Sequence, residues 1–63
     1  MSNALTTFYG HGEHDNRRAR VILLVEGHYA AQAWDGSTSF RLGEFESEQE
    51  AENVAEDYVR GDM

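Results

Sequence analysis

Residues Ser47 to Arg60 read SEQEAENVAEDYVR, and the rest of the chain is organised around this stretch. Ser47 stands three residues before Glu50, the spacing at which a hydroxyl and a carboxylate reciprocally cap a helix start. Ala51, Val54, Ala55, Tyr58 and Val59 recur at i, i+3, i+4, i+7 and i+8, one apolar stripe of an α-helix. Gly61 follows where a left-handed residue ends a helix at no steric cost. The pattern predicts one amphipathic helix, closed by Arg60. Its other positions are mostly acidic: Glu48, Glu50, Glu52, Glu56 and Asp57. One face must bury against something, and the other projects carboxylates.

The segments upstream supply the surface for that face. Val21 to Val25 is a β-branched and leucine run that nothing interrupts, which predicts a strand over Ala19–Glu26. Gly27 marks a turn, and His28–Trp34 follows as a second strand. Asp35-Gly36 is a two-residue hairpin signal, because glycine tolerates the positive φ of a type I′ turn. Ser37–Leu42 is then the third strand. This turn pairs Trp34 with Ser37, Gln32 with Ser39 and Ala30 with Arg41, all on one face. Tyr29, Ala31, Ala33, Thr38, Phe40 and Leu42 share the other, more apolar face, which takes the helix. Gly43–Glu46 is the link, with Phe45 tucked under the helix start.

The reading is α+β: a small three-stranded antiparallel sheet with one C-terminal helix on one face. The predicted core holds Val21 or Ile22, Leu23 or Leu24, Tyr29, Ala31, Phe40, Leu42, Phe45, Val54, Ala55 and Tyr58. Residues 1–63 form one domain, with the β-β-β-α core over 19–63. Residues 1–18 are an arm and a loop; the arm, through Leu5, Phe8 and Tyr9, either covers Trp34 on the outer face or adds a fourth strand. Packing against the arm is the favoured reading of Trp34 over an interface anchor.

With 63 residues and no cysteine, the chain has neither disulfide nor thiolate metal site and suits a reducing cytoplasm. Its longest apolar run, Val21 to Val25, is far short of the roughly 20 residues of a membrane helix. Five arginines and no lysine stand against 12 acids, a net charge of −7. Residues 1–43 balance four arginines with four acids, whereas residues 44–63 set Arg60 against eight acids and hold the entire imbalance. Such a field repels nucleic acid and attracts basic surfaces.

Catalysis has little to stand on. His11 and His14, beside Glu13 and Asp15, have a spacing that a metal could use. Two histidines in a glycine loop are more often solvated, and the chain is read as needing no metal or other cofactor. His28 opens a strand. Ser37 and Ser39 have no evident base, and nothing apolar surrounds the helix carboxylates to raise a pKa for acid–base work. No catalytic residue is assigned, and the chain is read as not an enzyme.

Two resemblances attach to these residues. Trp34-Asp35-Gly36, Phe40-Arg41-Leu42-Gly43, Phe45 and Ser47-Glu48-Gln49-Glu50-Ala51 resemble the three-stranded DNA-binding domain of the AP2 and integrase-arm type over roughly residues 20–59. That resemblance implies a sheet read from its outer face, or a small excisionase-like regulator. The outer face expected here, Ala30, Gln32, Trp34, Ser37, Ser39 and Arg41, holds one arginine, too few for several phosphate contacts, so no direct nucleic-acid binding is expected. The pattern from Val21 to Val25 through the acidic Glu44–Asp57 segment resembles the small acidic phage-encoded anti-CRISPR inhibitors, most nearly that of the type I-C effector. It implies a non-enzymatic inhibitor in the host bacterial cytoplasm. Such a protein blocks target-DNA binding by presenting DNA-like charge to a basic subunit surface. The partner-binding set is then Glu44, Glu46, Glu48, Glu52, Glu56 and Asp57.

Overall fold

The computed structural model describes residues 4–62. In chain order these form β1 (Ala4–Tyr9), a 3₁₀ turn (Gly12–His14), β2 (Arg18–Val25), β3 (His28–Trp34), β4 (Ser39–Phe45) and α1 (Glu48–Arg60). The four strands make one antiparallel sheet in the order β1-β2-β3-β4, and α1 packs across one face. The architecture is α+β, and the N-terminal arm is its fourth strand. The arm therefore does not fold over Trp34 but lies beside β2 at the sheet edge.

The helix follows its sequence signals. Ser47 has extended dihedrals, and its Oγ accepts from the Glu50 amide at 3.4 Å. Gly61 at φ +82° ends the helix, and its amide donates back to the Tyr58 carbonyl at 3.1 Å. Ala51, Ala55, Tyr58 and Val59 are buried, and Val54 packs at their margin.

The β3–β4 hairpin departs from the expected register. Trp34 pairs with Ser39, not Ser37, and Gln32 with Arg41, not Ser39. The cause is Asp35. Its Oδ1 accepts from the amides of Ser37 at 2.9 Å and Thr38 at 2.8 Å, and its own amide donates to the Thr38 carbonyl at 3.2 Å. This Asx arrangement closes a four-residue loop, Asp35 to Thr38, with Gly36 at φ +103°. A shift of two residues preserves side-chain parity, so the assignment of Trp34, Gln32, Ser39 and Arg41 to one face survives.

Strand β4 also runs on through Phe45, where a link from Gly43 was expected. The register slips at Leu42: Gln32 faces Arg41, but Ala31 faces Gly43. One extra residue lets Leu42 and Phe45, three apart, both pack against the core under α1. A methyl group at Gly43 would come within 2.9 Å of the Phe45 ring, so the missing side chain makes room for that ring.

The core is built mostly from alanine. Among the described residues, six of the nine buried hydrophobic ones are Ala19, Ala30, Ala31, Ala33, Ala51 and Ala55, joined by Val21, Tyr58 and Val59. Small side chains on both surfaces allow helix and sheet to approach closely, at the expense of apolar area buried per residue. Phe40, expected inside, is 39% exposed and instead meets the Tyr58 ring edge-on, with centroids 5.6 Å apart. Its place at the start of β4 leaves it at the margin of the helix.

Candidate functional site

The acidic segment wraps from the sheet onto the helix. Glu44 pairs opposite Ala30, on the sheet face away from α1, and its carboxylate meets Arg41 at 3.0 Å. It therefore does not join the helix carboxylates. Glu46 is exposed in the bend before the Ser47 cap. Glu48, Glu52 and Glu56 recur every four residues and lie along one flank of α1, each half-buried. At about 100° per residue, Glu50 and Asp57 fall on the opposite flank. The crest between them carries Gln49, Asn53 and Arg60, with the Gln49 Nε2 donating to the Asn53 Oδ1 at 3.1 Å. Arg60 reaches back to Glu56 at 3.2 Å.

The expected partner-binding set is thus not one surface. Glu48, Glu52 and Glu56 form one ridge, Glu46 is exposed in the bend before it, Asp57 lies across the crest, and Glu44 is on the other side of the sheet. Both ion pairs are exposed, with side chains between 43% and 63% accessible, and pairs of this kind contribute at most about 1 kcal/mol. A basic partner could compete for either carboxylate.

Comparison with protein-family models, curated proteins and solved structures returns no match for this chain.

The histidines do not converge. His11 is exposed, whereas His14 is half-buried with its imidazole against Gly61 at the end of α1. Among the described residues no group of three His, Asp or Glu side chains is placed to hold a metal ion. Likewise, among them no helix is long and apolar enough to cross a membrane. Beside His14, Arg17 donates from Nη1 to the Tyr58 carbonyl at 2.8 Å, and its guanidinium lies 4.9 Å from the Tyr58 ring centroid. A cation thus satisfies a carbonyl in the last helical turn, where the macrodipole is negative.

The open face of the sheet differs from expectation. It holds Arg18 and Arg20 as well as Arg41, because β2 alternates with Ala19 and Val21 turned toward the helix. Tyr9 and Thr7 join from β1. Trp34 is half-buried, and what lies against it is the Arg18 guanidinium, 4.4 Å from the ring. The period-two spacing of Arg18 and Arg20 around the buried Ala19 was the signal for this face, and the missing element was the fourth strand.

Proposed function

We propose that this protein is a non-enzymatic inhibitor whose acidic ridge docks in the basic nucleic-acid groove of a host defence complex. The observation that carries this reading is the ridge of Glu48, Glu52 and Glu56, preceded by the exposed Glu46, on a segment that holds the chain's whole net charge of −7. Successive helix carboxylates rise about 6 Å apart along the axis, comparable to the spacing of phosphates along a strand. Like charges at this spacing destabilise an isolated helix slightly, and the only basic side chain of α1, Arg60, offsets one of them. Carboxylates in the place of phosphates would occupy the partner's Arg and Lys side chains, and target DNA could not enter. The resemblance to anti-CRISPR inhibitors makes the type I-C surveillance complex, through the subunit that reads the protospacer-adjacent motif, the partner to test.

The decisive variant is Glu46→Lys/Glu48→Lys/Glu52→Lys, which spares the Arg60 pair. These side chains are exposed or flank-lying, and lysine keeps an apolar stem over the same surface. The circular dichroism spectrum should be unchanged. In a competition assay of target-DNA binding by the effector, inhibition should weaken by tenfold or more, and parental inhibition should weaken as salt rises. A folded triple variant that inhibits as well as the parent overturns the reading.

A further inference from the structure

We propose that the open face of the sheet is a second binding surface, specific for single-stranded nucleic acid. The register places two rows of side chains across all four strands. In the first, Tyr9, Arg18, Trp34 and Ser39 stand directly opposite one another. In the second, Thr7, Arg20, Gln32 and Arg41 do so. At about 4.8 Å between strands each row spans roughly 14 Å, and the rows lie about 7 Å apart. Between them is an open depression of about 370 Å³.

The chemistry of this depression is unlike that of the rest of the chain. Its lining includes Arg18 and Arg20 and not one carboxylate, in a protein with 12 acids and five arginines. Tyr9 is 61% exposed, and Arg18 presents a planar cation stacked on Trp34. Aromatic rings and guanidinium planes hold unstacked bases, arginines neutralise phosphates, and Gln32, Ser39 and Thr7 can hydrogen-bond base edges. Stacked bases within a duplex do not offer their faces to such a row, and this selects a single strand. The helix carboxylates lie behind the sheet, and Glu44, on this face, is held by Arg41; exposed charges separated by more than the Debye length of about 8–10 Å near physiological salt are largely screened. The expectation of no nucleic-acid contact rested on one arginine in this face; Arg18 and Arg20 add two, while Arg41 is paired there with Glu44 at 3.0 Å.

Trp34 is the sole tryptophan, so its emission reports on the first row directly. The intact protein is titrated with a ten-nucleotide oligo-dT, the matching oligo-U and a ten-base-pair duplex at 50 and 300 mM NaCl. Saturable quenching by the single strands is expected, with at least tenfold weaker binding of the duplex. Two or three phosphate contacts predict a slope of about −2 in log affinity against log salt. Arg18→Gln/Arg20→Gln should lose at least tenfold in affinity and Tyr9→Leu at least fivefold, both with unchanged circular dichroism spectra. The acidic-ridge reversal should leave oligonucleotide binding intact, which separates this surface from the one that would dock on a protein. No quenching, equal binding of the duplex, or full affinity in the folded double-arginine variant overturns the proposal.

Discussion

Asp35 decides where the β3–β4 hairpin turns. Its carboxylate accepts two backbone amides, and these hydrogen bonds, first from Thr38 and then from Ser37, hold its pKa below the ordinary 3.8. A depressed carboxylate contributes stability above its unfolded pKa and loses it as pH falls through the lower folded value. Asp35→Asn keeps the acceptor oxygen without the charge, whereas Asp35→Ala removes it. Thermal melts at pH 7 should therefore rank parent, Asn variant, Ala variant in decreasing order. As pH falls below 3.8 and the carboxylate protonates, the gap between parent and Asn variant should narrow. An Ala variant that melts with the parent would show that the loop is set by Gly36 alone.

The elements meet in two places where side-chain size or charge is decisive. Where α1 meets the sheet, Ala31, Ala33, Ala51 and Ala55 belong to one buried cluster. Ala55→Leu should push the helix outward and destabilise by about 1–3 kcal/mol. In a domain of this size that is a fall of at least ~4 °C in Tm. At the far end of the helix, Arg17 ties the loop between β1 and β2 to the Tyr58 carbonyl and ring. Arg17→Ala should cost about 1.5–3 kcal/mol, the usual contribution of a charged hydrogen bond in a partly buried setting. Arg17→Lys should recover only part of this, because an ammonium lacks the planar face that stacks on the ring. Urea denaturation of the three variants measures both effects.

At the scale of the molecule, charge is partly sorted by position: most acids of the C-terminal segment lie on the flanks of α1, and three of the five arginines lie on the open sheet. The carboxylates of the helix flanks repel one another along and across the crest of α1, over an alanine-rich core with little stability in reserve. Salt should therefore raise the melting temperature of the isolated protein while weakening its binding on either surface. Scanning calorimetry from 10 to 500 mM NaCl should show a rise of several degrees. A flat or falling Tm would mean that the acids are already balanced within the fold.

The helix was legible because every signal for it is local. The Ser47 cap, the stripe through Val59 and Gly61 lie within one short stretch, and the strand β3 and the Gly27 turn were read on the same basis. The acidic residues were visible as letters, but their division into a ridge, a second flank and the far side of the sheet was not. That division follows from helix phase and from the bulge at Leu42, which depends on what Phe45 and Leu42 meet under α1. The hairpin register escaped because a side-chain carboxylate competed with the two-residue turn that Asp35-Gly36 suggests. The make-up of the open sheet face, read from β3 and β4 with one arginine, was the largest departure. Arg18, Arg20, Trp34 and Tyr9 come from three strands, and only antiparallel pairing, with β1 taken in at the edge, sets them side by side.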